Sequence, residues 1–187
     1  MGEIIGKDFK YKLVKNFLTA EELELLKTYT IVFHKNNLSQ FDGMTKLWET
    51  SEYGSPLIDS LMMCKLPKME EITGKSLSPT YTFWRMYIYQ SYLHKHTDRP
   101  SCEISVTICL GSDKPEWPIY VNGNPIVSDP GDAVIYLGCE LEHWREKFEG
   151  DWSSHVFMHY VDKKGPHKDH VFDKRDYIGK YHNGFSR

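Results

Sequence analysis

At Thr80 the hydrophobic period of the chain changes, and this switch limits the possible folds more than any other feature. Before it, apolar residues recur at helical spacing behind cap signals; after it, β-branched and aromatic residues alternate at period two. Thr19-Ala20-Glu21-Glu22 has the form of a capping box, with Leu18 and Leu23 placed as a hydrophobic staple. A helix is therefore expected from about Ala20 towards Tyr29, with Leu23 and Leu26 facing the core. A second helix should open at Ser55-Pro56, where Ser can cap free amides and Pro at the first helical position loses no hydrogen bond. Leu57, Ile58, Leu61, Met62 and Leu66 follow at helical spacing, Pro67 is expected to break or kink the element, and Gly74 to close its continuation.

Beyond the switch, residues 81–89 read as a strand, and Glu103 to Leu110 as another. The second puts Ser105, Thr107 and Cys109 on one face and Ile104, Val106, Ile108 and Leu110 on the other, so its two faces have different jobs. Ile119-Tyr120-Val121 and Ile126-Val127 flank Asn122-Gly123-Asn124, a hairpin signal because Asn-Gly tolerates positive φ. The turn Asp129 to Asp132 feeds a strand over Ala133 to Leu137, and a last strand, Ser154 to Val161, precedes a polar tail. Helices first, then short strands, predict an α+β protein whose β part is a jelly roll or barrel buttressed by the N-terminal helices. With 187 residues, 40% of them hydrophobic, one domain over 1–187 is expected: helical about 15–75, barrel about 79–162, solvated tail 163–187. The tail includes His167-Lys168-Asp169-His170.

Charge and composition exclude several classes of function. A formal charge of −3 argues against an unselective nucleic-acid binder. No apolar run approaches the roughly 20 residues of a membrane span, and Met1 to Lys10 lacks a signal-peptide core. Cys64, Cys102, Cys109 and Cys139 show no CxxC spacing, so free thiols and a cytoplasmic setting are expected.

Nine histidines stand out. In His94-Lys95-His96-Thr97-Asp98, residues two apart on an extended backbone point the same way, so His96 and Asp98 can reach one ion. That is half of a two-histidine, one-carboxylate facial site, which leaves positions open on non-haem Fe(II) for a co-substrate and dioxygen. From position alone, His143, His155 or His159 could supply the missing ligand. His143 follows the Pro-Gly-Asp turn and its strand, near a strand end where a neighbour could present His96 and Asp98.

Tyr87, His96-Thr97-Asp98, the β region after it, Pro130-Gly131-Asp132, His143 and Trp152 to Val161 together resemble the Fe(II)- and 2-oxoglutarate-dependent oxygenases of the prolyl 4-hydroxylase-like group. Asn16 to Glu22 is similar to that group's entry helix, and the resemblance spans roughly residues 10 to 162. It implies a double-stranded β-helix with His96, Asp98 and His143 as iron ligands and catalytic centre, and Tyr87 as a hydrogen-bond donor to 2-oxoglutarate. The implied reaction is O2-dependent hydroxylation of a protein or peptide side chain, prolyl in type, or of a small molecule. It releases succinate and CO2, and ascorbate is an accessory reductant.

One position departs from the family. The Lys or Arg that pairs with the far carboxylate of 2-oxoglutarate is replaced here by Ser153. A buried carboxylate without a cation is costly, so another group must supply the charge. Arg145, two residues after His143, is the expected anchor, with Arg85, His155 and His159 in reserve and Ser153 as a neutral contact. Arg99, directly after Asp98, could orient that carboxylate, touch substrate or sit in a surface turn. Two rival readings are a non-catalytic jelly-roll protein that binds a metal or ligand, and a hydrolytic zinc enzyme on a cupin-like barrel.

Overall fold

The computed structural model describes residues 9–37, 39–41 and 48–179; the chain enters through a short strand, β1 (Tyr11–Val14), and a helix, α1 (Ala20–Asn36). The capping box forms as expected: the Thr19 hydroxyl accepts from the Glu22 amide at 3.2 Å, and the Glu22 carboxylate accepts from the Thr19 amide at 2.8 Å. α1 continues past Tyr29, the end expected from sequence, because no Gly or Pro intervenes and Phe33 packs edge-on against Trp84 at 5.5 Å. Helix α2 (Pro56–Thr73) begins at its proline, but Ser55 does not cap it. The Ser55 hydroxyl donates instead to Tyr29 Oη at 2.7 Å and ties the two helices together. Nor does Pro67 break the helix. It lies on the exposed face, and Met63, whose carbonyl loses its helical partner there, is exposed to water that can satisfy the group. Gly74 ends α2 in the left-handed region at φ 68°.

Ten further strands follow α1 among the described residues: β2 (Gln40–Phe41), β3 (Trp48–Tyr53), β4 (Leu77–Ile88), β5 (Leu93–His96), β6 (Ile104–Ser112), β7 (Ile119–Val121), β8 (Asn124–Ile126), β9 (Ala133–Leu137), β10 (His143–Arg145) and β11 (Trp152–Asp162). They form an antiparallel sheet in the order β1-β9-β6-β11-β4-β3-β2 and a second in the order β5-β10-β7-β8. The sheets face each other as a double-stranded β-helix, with both helices on the outer face of the larger one; among the described residues no ladder joins their edges. The β7–β8 hairpin turns where expected, with Asn122 and Gly123 at φ 49° and 81°. No described helix is long and apolar enough to cross a membrane.

β2 and β3 are strands within the segment of about 15–75 expected to be helical, and β1 lies just before it. β3 escapes sequence reading because Glu49 and Glu52 interrupt its apolar alternation; both are buried, with Ser91 donating to Glu49 and Tyr29 to Glu52.

Alternation divides the large sheet cleanly. Trp84, Val106, Ile108, Val156, Met158 and Tyr160 face Leu26 of α1 and Ile58, Met62 and Met69 of α2, and the Tyr160 hydroxyl donates to the Met62 carbonyl at 3.1 Å. The opposite face carries Tyr81, Phe83, Arg85 and Tyr87 of β4, Ser105, Thr107 and Cys109 of β6, and Ser153, His155, Phe157 and His159 of β11. The split on β6 is the one read from sequence.

The tail departs from a solvated segment. Residues 168–174 form a 3-10 turn that packs back on the barrel, because the Asp173 carboxylate accepts from both arms of Arg99 at 2.5 and 2.9 Å and from the Tyr53 hydroxyl at 2.6 Å. His170 lies 3.0 Å from the Ser101 hydroxyl, and the rest of the tail, 180–187, lies outside the described residues.

Thr19→Ala, which leaves the Glu22 amide in the first turn of α1 without its side-chain acceptor, is expected to lower stability by about 1 kcal/mol in urea unfolding; no loss would show that the tertiary packing of α1, not its cap, sets its stability.

Candidate active site

β10 pairs with β5 so that His143 stands opposite His96, bringing their rings to 4.3 Å. Past the end of β5 the Asp98 amide donates to the Gly138 carbonyl at 2.8 Å, which turns the carboxylate back toward the two rings. Asp98 Oδ1 lies 3.5 Å from Nε2 of both histidines. Each ring is held from behind, His96 Nδ1 by the His94 carbonyl at 2.6 Å and His143 Nδ1 by the Leu141 carbonyl at 3.0 Å. A carbonyl only accepts, so both Nδ1 atoms carry hydrogen and both Nε2 lone pairs point, with Oδ1, at one place. Three acceptors converging within 4.8 Å repel one another unless a cation lies among them, and the donor set suits a divalent transition metal. Burial raises the Asp98 carboxyl, but hydrogen bonds to His143 and His96 outweigh it and hold the group well below the usual carboxylate range. Burial likewise opposes charge on His96, but the bond to Asp98 carries its basicity upward.

Arg145, the residue after next on β10, is buried. Its Nη1 donates to the Trp117 carbonyl at 3.0 Å, its plane lies 4.6 Å over the Trp117 ring, and Nη2 is 3.4 Å from His155 Nδ1. Nε has no hydrogen-bond partner. Because a guanidinium only donates, His155 Nδ1 is the acceptor, and the Nε2–H of His155 donates to Ser153 Oγ at 2.9 Å. Burial, then the Arg145 charge, push His155 well below the ordinary imidazole range, so it stays neutral beside the cation. Burial also lowers Arg145, and no described carboxylate forms an ion pair with it. Tyr87 packs against this cluster, edge-on to Trp117 at 5.0 Å and to His155 at 5.6 Å.

Two of the reserve anchors, Arg85 and His159, are engaged elsewhere. Arg85 Nε lies 3.4 Å from Glu49, and His159 sits on the Asp98 side, 3.0 Å from Ser105. Arg99 turns outward to Asp173, although it lines the same cavity. Of the candidates, His96, Asp98 and His143 thus meet at one point, and Tyr87, Arg145, Ser153 and His155 form a second cluster behind it.

A cavity of about 590 Å³ opens over the triad between Tyr53, Tyr81, Phe83, Phe157 and Tyr136. Tyr53 and Tyr81 stack at 4.9 Å, and Tyr136 lies 4.7 Å from the His143 ring. Sequence reading missed Tyr53, Tyr136, Ser105 and Asp173 as site residues. Only Ser105 carried a signal, its place on the polar face of β6; Tyr136 lies within the apolar run Ala133 to Leu137, and Tyr53 and Asp173 arrive through a strand and a turn that sequence did not reveal.

No protein-family model and no curated protein matches the chain. Solved structures do. A Pseudomonas putida prolyl-4-hydroxylase superposes with a TM-score of 0.67 at 15% identity, over 82% of this chain and 92% of that one. HygX from Streptomyces hygroscopicus, solved with nickel and 2-oxoglutarate bound, gives 0.66 at 10% identity over 83% of each chain. A Trichoplax adhaerens prolyl hydroxylase in complex with a hypoxia inducible factor peptide fragment gives 0.63 at 13% identity, over 83% of this chain and 84% of that one. The fold is the one these 2-oxoglutarate oxygenases share.

Burial pushes the His159 imidazole down to about 4, whereas an unfolded histidine titrates near 6.5. Between those values the unfolded chain holds a proton that the folded protein lacks, so stability falls as pH falls through the window. In the metal-free protein, His159→Asn is expected to reduce the stability lost between about pH 7 and pH 5 by roughly 2 kcal/mol. Urea unfolding at the two pH values measures this, and an unaltered pH dependence would mean that His159 takes up its proton in the folded protein.

Proposed function

We propose that this chain is an Fe(II)- and 2-oxoglutarate-dependent dioxygenase that hydroxylates a peptide side chain of prolyl type or a small molecule. The observation that carries the reading is Arg145, a buried guanidinium with no acidic partner among the described residues, set two positions along β10 from a triad histidine. Burying an unpaired cation costs several kcal/mol, and a dianionic co-substrate reaching from the triad toward β10 and β11 offsets that cost. His96, Asp98 and His143 hold the metal. Arg145 grips the distal carboxylate, while Tyr87, Ser153 and His155 shape and satisfy the end of that pocket.

Iron and 2-oxoglutarate, when bound, supply the oxidation: one atom of O2 ends in succinate, the other in the hydroxylated substrate, and CO2 leaves. The chain's own part is placement. The backbone carbonyls behind His96 and His143 keep their Nε2 atoms deprotonated and aimed, and the aromatic cavity walls keep water from the reacting face. Those walls suit an apolar ring or side chain. A peptide substrate is favoured by analogy with the Trichoplax complex, and a small molecule fits the cavity volume equally.

The rivals fit less well. A zinc hydrolase needs a general base beside the metal, and among the described cavity-lining residues Asp98 is the sole carboxylate. A vestigial binding protein drew its support from Ser153, but Arg145 supplies the charge that Ser153 lacks. Four unpaired cysteines fit a cytoplasmic enzyme.

Anaerobic titration with Fe(II) and 2-oxoglutarate, followed by the visible charge-transfer band and then by succinate once O2 is admitted, tests the reading. Arg145→Ala is expected to raise the half-saturating 2-oxoglutarate concentration about a hundredfold, from loss of about 3 kcal/mol, and to leave Fe(II) binding nearly unchanged. Replacement of His96, Asp98 or His143 by Ala should abolish succinate formation. An unchanged 2-oxoglutarate requirement in Arg145→Ala, or full activity in His143→Ala, would refute the assignment.

A further inference from the structure

We propose that Ser105 and His159 form a relay that holds Asp98 by its outer oxygen, so that Oδ1 alone is offered to the triad's meeting point; the proposal rests on reading the triad as an Fe(II) centre. Ser105 and His159 are register partners on β6 and β11, so their side chains stand side by side on the inward face. The Ser105 hydroxyl lies 2.7 Å from Asp98 Oδ2 and 3.0 Å from His159 Nδ1, with the Cys102 carbonyl farther off at 3.2 Å. A serine has one hydrogen to give, and the charged, nearer carboxylate takes it. His159 must then donate its Nδ1–H to Ser105 Oγ, which fixes the ring's tautomer.

Two other features build the same place. The Tyr81 ring packs against His159 at 4.5 Å and holds its plane. Gly138 passes so close that a Cβ there would collide with Asp98 Oδ2, Ser105 Oγ and the Cys102 carbonyl, and its own carbonyl receives the Asp98 amide. Strands β6 and β11 and the turn after β9 thus all constrain one carboxylate oxygen. That oxygen is not the one facing the histidines, which is Oδ1 at 3.5 Å from each.

The consequence concerns the co-substrate. A facial triad works because positions remain open for a bidentate ligand and for O2. If Asp98 rotated to present both oxygens, the carboxylate would occupy one of them. Ser105 and His159 are therefore positioning residues in this respect: they act on the metal through Asp98. Asp98, Cys102 and His159 also bring ligand atoms within 4.8 Å, but Cys102 Sγ is engaged by the Tyr81 hydroxyl at 3.0 Å and His159 Nδ1 by Ser105, so the group is satisfied without an ion.

The test uses the full chain loaded anaerobically with Co(II), whose visible spectrum reports coordination number, and titrated with 2-oxoglutarate. The wild type is expected to bind one equivalent of Co(II) and to change spectrum with 2-oxoglutarate. Ser105→Ala should keep Co(II) affinity, shift the 2-oxoglutarate-free spectrum toward higher coordination, and weaken 2-oxoglutarate at least tenfold; Ser105→Thr, which keeps the hydroxyl, should restore both. His159→Phe should move the same readouts less, and His159→Asn, whose amide can donate from the place of Nδ1, should restore them. Should Ser105→Ala not fold, the His159 pair decides the question. Wild-type spectra and affinities in Ser105→Ala and His159→Phe would overturn the relay. Two equivalents of Co(II) in the wild type, the second lost in Cys102→Ala, would overturn it in favour of a second cation site. A wild-type spectrum blind to 2-oxoglutarate would overturn the dioxygenase reading and the relay with it.

Discussion

The register of β11 between β4 and β6 is the constraint on which the rest depends. One face of β11 presents Val156, Met158 and Tyr160 to the helices, and the other presents Ser153, His155, Phe157 and His159 to the space between the sheets. A slip of one residue would exchange the two sets, putting two imidazoles and a hydroxyl against Met62 and Ile58. Burial of those groups without partners costs more than any local gain, so the apolar side enforces the register and the polar side inherits its precision. The interior chemistry is positioned by a core that takes no part in it. The ladders carry small irregularities, between Ser154 and His155 against β6 and between His159 and Tyr160 against β4, close to the histidines that the site uses.

Legibility in the sequence followed how local each determinant is. The two faces of β6, the Asn-Gly hairpin, the α1 cap and the reach of His96 and Asp98 depend on neighbours within a few residues, and they could be read from spacing. The choice of His143 over His155 and His159 could not: all three lie on inward faces, and only the pairing of β10 with β5 puts one of them opposite His96. Position alone left that choice open, and resemblance favoured His143. β3 and the Asp173 turn stayed hidden for a related reason. Their charged residues look solvated until a partner distant in sequence, Ser91 for Glu49 or Arg99 for Asp173, makes burial tolerable. Pro67 shows the converse, since its effect depends on whether the freed carbonyl meets water, which a sequence does not state.

On the proposed reading, the charge that Ser153 does not supply from β11 comes from Arg145 on β10. On β11 the small hydroxyl sits beside His155, and the imidazole fills the volume between Ser153 and Arg145 on the opposite sheet. Arg145 enters the space between the sheets from β10 and not from β11, against a carbonyl and an aromatic face that orient it without neutralising it. A neutral neighbour matters here: a carboxylate in place of His155 would satisfy Arg145 permanently and leave nothing for an anion to gain. The metal-free, ligand-free protein consequently carries two unresolved electrostatic demands, three acceptors that need a cation at the triad and a cation that needs an anion at Arg145. Each is costly alone, and on the proposed reading both would be relieved by a metal and a ligand that binds it while reaching Arg145. Binding of the pair should therefore be cooperative, because each partner screens the charge that the other must meet, and it should stabilise the fold by mass action on the native state.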